Sequence, residues 1–173
     1  MIFQSIKTTE LNKNLIDQIL NLKESHWKYG KESQLKWFDK FTQENDLHNF
    51  MIMDKEIHGY TSLSQRSFKE VDLSNNVKNS SYILFTTLII NKKVRNYSSA
   101  LNMMKFNNRI ISKTKKPSFL LCHKNLINFY KYFGWNLIGK KDFNVPDHKS
   151  SLIGMTYNFT KLKNVFYNFY YYS

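Results

Sequence analysis

The sequence predicts a mixed α/β fold: one sheet with helices on both faces. Three observations carry this. Apolar residues recur at helical spacing in several separate segments. Short β-branched and aromatic runs lie between those segments. Their order is strand, two helices, hairpin, central strand, helix, strand, helix, strand, strand, which suits neither an all-helical nor an all-strand fold. At 173 residues the chain is the size of one domain. With 14 Phe and 11 Tyr it can build a packed core. The expectation is a single domain, 1–173, with the aromatic tail 163–173 packed on or beside it.

IFQSIK, from Ile2 to Lys7, reads as a first strand. Leu11, Leu15, Ile19 and Leu22 then repeat at helical spacing, predicting a helix that runs to about Trp27. Gly30 interrupts it, and Ser33 is the expected N-cap of a second helix carrying Leu35, Trp37, Phe38 and Phe41. NFMIM and IHGYTSL flank Asp54-Lys55-Glu56 as a hairpin. Residues 66–81 are polar and rich in Asn and Ser, and read as a loop or irregular edge. YILFTTLII, from Tyr82 to Ile90, suits a central strand buried on both faces.

Ser98 or Ser99 is expected to begin the next helix, with Leu101, Met104 and Ile111 on one side, to about Lys113. Pro117 ends it, and SFLLC (Ser118 to Cys122) is a short buried strand. In NLINFYKYFGW, Leu126, Phe129, Tyr130 and Phe133 again follow helical spacing up to Gly134. WNLIG (Trp135 to Gly139) and GMTYNF (Gly154 to Phe159) read as strands, with a polar loop from Lys140 to Ser151 between them. The tail VFYNFYYYS reads as a packed strand or edge.

Composition bounds the function. The single cysteine, Cys122, excludes an internal disulfide and a thiolate zinc site, and fits a reducing compartment. No HExxH-like spacing suggests a metal, so none is expected. No apolar run reaches the roughly 18 residues that span a bilayer. The first residues lack a signal-peptide pattern, so the expected location is cytoplasmic, with no membrane partner. The net charge of +13 invites comparison with nucleic-acid binders. Yet only three of the 26 basic residues are Arg, the residue that base readout favours, and the lysines are scattered. A solvated basic surface that attracts an anionic ligand is the better reading.

One segment carries chemistry. LIINKKVRNYSSALNMM joins a buried strand to a helix through Arg95-Asn96-Tyr97-Ser98-Ser99-Ala100. Backbone N–H groups at a helix start favour phosphate, and small side chains let a pyrophosphate approach the main chain. Arg95, Lys92 and Lys93 add charge.

The pattern R-x-x-S-x-A after a hydrophobic strand resembles the Q/R-x-x-G-x-G/A acetyl-coenzyme A motif of the GNAT superfamily of N-acyltransferases. Ser98 and Ala100 stand where the family carries glycine or a small residue, a departure that narrows the turn's backbone freedom. About thirty residues on, FYKYFGW is similar to the family's F/L-Y-x-x-x-G-F/W ending. The resemblance covers roughly residues 2–159. It implies a central mixed, mostly antiparallel sheet splayed between two parallel strands. It implies acetyl-coenzyme A as co-substrate, with pantetheine along the backbone of Leu88, Ile89 and Ile90 and pyrophosphate on Arg95 to Ala100. Asn125 and Phe129 join the coenzyme site. A bulge in the central strand aims a group at the thioester. Tyr130 becomes the general acid facing the departing thiolate, and its ordinary pKa of about 10 suits a thiol.

The base is not fixed by the resemblance. His26 and His148 are the candidates taken forward; Asp147 and His58 are weaker. Trp27, Tyr29, Gln34 and Trp37 form an aromatic and polar group that suits a ring-bearing acceptor. The expected activity is acetyl transfer to a primary amine of a small molecule, such as a nucleotide-linked amino sugar, by a monomer or homodimer. The competing class is a non-catalytic basic module for RNA or an acidic partner on the same fold.

Overall fold

The computed structural model describes residues 1–148 and 151–172. In chain order the elements are β1 (Ile2–Lys7), α1 (Lys13–Glu24), α2 (Lys31–Phe41), β2 (Leu47–Met53), β3 (Glu56–Asp72), β4 (Val77–Ile90), α3 (Tyr97–Thr114), β5 (Ser118–Cys122), α4 (Ile127–Tyr132), β6 (Asn136–Leu137), β7 (Phe143–Asn144), β8 (Ile153–Tyr157) and β9 (Val165–Phe169). Single 3₁₀ turns occupy Thr8–Glu10 and Lys124–Leu126. The fold is mixed α/β, as predicted. The strands pair in the order β1-β2-β3-β4-β5-β8-β6, with β9 beside β3 and β7 beside β9. The pairs β1–β2, β2–β3, β3–β9, β5–β8 and β6–β8 are antiparallel; β4–β5 and β7–β9 are parallel.

Several boundaries differ from the sequence reading, each for a local reason. Helix α1 stops at Glu24, before Trp27, and Asn12 caps its start by accepting from Leu15 N–H at 3.0 Å. Helix α2 is capped at Gly30, not Ser33: Gly30 sits at φ 82 and its carbonyl accepts from Gln34 N–H. The largest difference is at 66–81. Instead of a loop, β3 continues to Asp72 and β4 begins at Val77. Ser64, Arg66 and Phe68 point inward while Gln65, Ser67 and Lys69 point out, so a true period of two lies hidden under polar residues. The Asp72 carboxylate closes this hairpin, accepting from the N–H groups of Ser74 and Asn76. The Asp54-Lys55 turn has positive φ at both residues, as a tight hairpin needs. Strand β6 is only two residues, and β7 lies inside the expected loop 140–151; Lys149 and Ser150 of that loop, and Ser173 of the tail, are outside the described residues.

The chain forms two compact units, Met1–Ser64 with Thr86–Arg109, and Gln65–Phe85 with Ile110–Ser173. The first packs Ile19 and Leu22 of α1 on Phe50, Ile57, Tyr60 and Ile89, and Met103 of α3 on Met51 and Ile90. A buried polar link joins α3 to the sheet: Asn107 Oδ1 accepts from Asn49 Nδ2 at 2.7 Å and Thr61 Oγ1 at 2.6 Å. The second unit is an aromatic core of Phe68, Tyr82, Phe119, Tyr167 and Phe169 with Leu84 and Ile138. Phe119 stacks on Phe169 at 4.2 Å, which seats β9, the first part of the aromatic tail.

Candidate active site

In the first unit the site begins at the end of β4. Ile89 and Ile90 bury their side chains, so this stretch has backbone rather than side chains to give a ligand. Thr87, three residues before the end of the strand, has φ 63. A β-branched residue there is an outlier costing about 1–3 kcal/mol, a strain that the fold has to hold in place. It breaks the extended conformation where a bulge is expected. Nothing in the letters YILFTTLII singles out Thr87.

The turn that follows is built by Asn91, whose side chain accepts from Lys93 N–H at 3.0 Å and whose carbonyl accepts from Val94 N–H. Helix α3 starts one to two residues earlier than expected. Asn96 is the cap: its Oδ1 accepts from Ser99 N–H at 2.8 Å and its carbonyl from Ala100 N–H at 3.2 Å. Ser99 is buried and its hydroxyl donates to Val94 carbonyl, so it braces the turn. Lys92, Lys93, Arg95, Asn96, Tyr97 and Ser98 stay exposed around the helix start. Of the expected phosphate cradle, the outer residues face solvent, whereas the N–H groups of Ser99 and Ala100 are engaged within the turn.

Arg95 and His26 come together, which no sequence spacing indicated. The Arg95 guanidinium donates from Nε and Nη2 to Ile90 carbonyl, each at 3.2 Å, and from Nη2 to His26 Nε2. Hydrogen counting fixes the imidazole. Ser25 Oγ spends its one hydrogen on Leu22 carbonyl at 2.7 Å, so His26 Nδ1–H donates to Ser25 Oγ at 3.1 Å. His26 Nε2 therefore holds the lone pair, and Arg95 occupies it. Burial, and then the Arg95 charge, lower the His26 pKa. The geometry makes His26 a neutral partner of Arg95 rather than a ring with a free lone pair.

The acceptor group divides. Trp27, Tyr29 and Trp37 are exposed, Trp37 lying 4.7 Å from the Phe41 ring with Lys23 Nζ 5.5 Å above it. Gln34 is buried instead: its Nε2 donates to Glu24 Oε2 at 2.7 Å and to Trp27 carbonyl at 2.9 Å. It ties α2 to the end of α1 and presents no surface to a substrate.

In the second unit, β5 pairs with β4 only at Ile83–Ser118 and Leu84–Phe119 among the described residues, while β8 pairs along the whole of β5. Asn125 lies exposed in the 3₁₀ turn that leads into α4, and Phe129 is half-buried. Gly134, at φ 81, ends α4, and the carbonyl of Tyr130 accepts from Phe133 and Trp135 N–H. Tyr130 is buried, edge-on to Phe85 and Trp135 at 6.2 Å from each ring. Its phenol has no hydrogen-bond partner among the described residues. Burial, with nearby Cys122, pushes its pKa well above the usual tyrosine value, so the ordinary value expected from sequence does not hold.

His148 lines a groove of about 520 Å³ with Leu121, Lys140, Phe143, Val145 and Pro146. Its ring stacks on Tyr171 at 4.5 Å, and Nδ1 lies 2.9 Å from the Tyr172 hydroxyl. Neighbouring Asp147 is a clamp, its two oxygens accepting from the N–H groups of Tyr171 and Tyr172 at 2.8 Å each. His58 keeps Nδ1 buried without a hydrogen-bond partner among the described residues. Among the described residues no three His, Cys, Asp or Glu side chains are grouped as metal ligands, and no helix is long and apolar enough to cross a membrane.

No family model and no curated protein sequence matches the chain. Solved structures do, at low identity. Escherichia coli ElaA matches at 16% identity with a TM-score of 0.63, over 90% of this chain and 97% of that one. An acyl-CoA N-acyltransferase from Pseudomonas aeruginosa matches at 12% identity with a TM-score of 0.67, over 90% and 97%. An aminoglycoside 6'-N-acetyltransferase, solved with coenzyme A, matches at 13% identity with a TM-score of 0.63, over 94% of this chain and all of that one. The fold is that of the GNAT-type N-acyltransferases.

Proposed function

We propose that this chain, with the GNAT fold, is an N-acetyltransferase that uses residues 1–173 as one domain. It passes an acetyl group from acetyl-coenzyme A directly to a primary amine of a small molecule. The observation that carries the reading is the β4–α3 segment: a central strand with strained backbone at Thr87, running into an asparagine-capped helix start ringed by Lys92, Lys93 and Arg95. That is chemistry for a thioester with a phosphorylated handle. Pantetheine would follow Leu88 to Ile90, and the pyrophosphate would take Arg95 and the exposed backbone of Ser98. Binding would draw on the Arg95 donors now spent on Ile90 and His26.

The amine attacks the carbonyl carbon, the tetrahedral intermediate collapses, and the C–S bond breaks with its electrons on sulfur. Tyr130 donates a hydrogen bond to that thiolate. Because burial raises its pKa, Tyr130 keeps its proton and stabilises the departing sulfur through that hydrogen bond. His148 takes the proton that the amine gives up. It is preferred to His26, whose lone pair is committed to Arg95. The acceptor is an anionic, ring-bearing amine such as a nucleotide-linked amino sugar, with Trp27, Tyr29 and Trp37 supplying ring faces; its test is an amine panel with acetyl-coenzyme A.

A thermal-shift titration tests the co-substrate. A ligand at about 100 times its Kd adds roughly 2.7 kcal/mol to stability, a rise of several degrees. Coenzyme A at millimolar concentration should produce it. A flat melting curve there would overturn the reading.

A further inference from the structure

The aromatic tail has a purpose beyond filling the core. We propose that Tyr171, Tyr172 and Asp147 form a latch that sets the orientation and tautomer of His148, making Tyr172 a positioning residue for the proposed proton acceptor. This inference rests on the reading of His148 as the base.

Four contacts converge on the loop. Asp147 spends both carboxylate oxygens on consecutive tail N–H groups, Tyr171 through Oδ1 and Tyr172 through Oδ2, at 2.8 Å each. Such charge-assisted pairs are about twice as strong as neutral ones. The tail then returns two side-chain contacts to the next residue: the Tyr171 ring stacks on the imidazole at 4.5 Å with 16° between planes, and the Tyr172 hydroxyl meets Nδ1 at 2.9 Å. The ring is thus fixed in plane by stacking and in rotation by one hydrogen bond. The tail is itself anchored upstream, since Tyr170 N–H donates to Ser67 carbonyl and Tyr82 hydroxyl donates to Tyr170 carbonyl at 2.7 Å.

The hydroxyl contact decides which nitrogen works. Nδ1 is taken by the Tyr172 hydroxyl, so Nε2 is the nitrogen for which the described residues supply no partner, and it carries the lone pair in the form where Nδ1–H donates to the phenol oxygen. Without the hydroxyl the two tautomers mix, and the ring turns about its stacking partner. A base held even slightly out of line loses much of its effect, because proton transfer depends on tight alignment.

Tyr172→Phe tests this, since it keeps the ring and removes only the hydroxyl. Imidazole ¹⁵N spectra of the folded variant should show the His148 signals moving from one tautomer toward a mixture. Turnover should fall roughly tenfold in kcat with coenzyme A affinity unchanged. In a His148→Gln background the same change should cost nothing further. Unchanged ¹⁵N signals together with unchanged kcat in Tyr172→Phe would overturn the latch. If His148→Gln alone left turnover intact, the base assignment would fall instead, and the ¹⁵N spectra would still judge the latch. Asp147→Asn, which weakens the tail's anchor without touching the ring, should shift the same signals in the same direction.

Discussion

Tyr130 shows how much one residue's environment changes its chemistry. Its letter and helical spacing are those of any core aromatic, and only the resemblance of FYKYFGW to a coenzyme-binding motif suggested a reactive phenol. Packed against Phe85 and Trp135, it has no polar partner of its own among the described residues. Tyr130→Phe should leave the fold and coenzyme affinity near wild type while cutting kcat by about 10² or more. Steady-state kinetics with a titration of coenzyme A separate the two. Undiminished kcat would remove Tyr130 from the reaction. The His26–Arg95 contact makes the complementary point: two exposed-looking residues 69 positions apart prove to share one hydrogen bond.

At the scale of elements, β2 and β3 are joined by more than their ladder. His48 in β2 is buried and bonds Tyr60 of β3 at 2.8 Å and Thr8 Oγ1 at 3.0 Å. Thr8 gives its hydrogen to Gln43 carbonyl at 2.6 Å, so the ring donates to Thr8 from Nε2 and accepts from Tyr60 on Nδ1. The neutral ring satisfies all three elements, and a second proton would displace the Tyr60 hydrogen. Burial accordingly lowers the His48 pKa from 6.5 to about 4. The unfolded chain binds this proton below pH 6.5 and the folded chain only near pH 4. Stability is therefore full above pH 6.5 and declines as pH falls from 6.5 to 4, by up to about 3 kcal/mol. Urea midpoints at pH 7, 5.5 and 4 should fall, and His48→Gln should flatten that fall. Equal slopes in both proteins would refute the link.

For the whole molecule, charge is the property the sequence states most openly. A surplus of +13 draws anions and repels cations over roughly a Debye length. The panel of amines should thus show higher kcat/KM for phosphate- or carboxylate-bearing acceptors, and that preference should weaken as salt rises from 0.05 to 0.5 M. A preference for polyamines at low salt would sink the proposed acceptor class. The charge is also mostly lysine, spread over both units, which is why it speaks about attraction and not about a particular interface.

The sequence alone determined the order of the helices and of the strands other than β7, because apolar periodicity and punctuation by Gly30, Pro117 and Gly134 are local signals. It determined the strand-to-helix turn at Arg95–Ala100, since charge and small residues there are visible in the letters. The tertiary structure decided the rest. The β3–β4 extension was illegible because Ser64 and Arg66 put polar side chains at inward positions, where periodicity looks for apolar ones. The Thr87 strain was illegible because φ is imposed by neighbours, not by threonine. Gln34 looked like a surface ligand until its amide was seen spent on Glu24 and Trp27. His26 and His148 read alike in sequence; only the partners their ring nitrogens meet, an arginine for one and a tyrosine hydroxyl for the other, separate them. Hydrogen bonds between distant residues have no one-dimensional trace, and they decide which nitrogen is free to act.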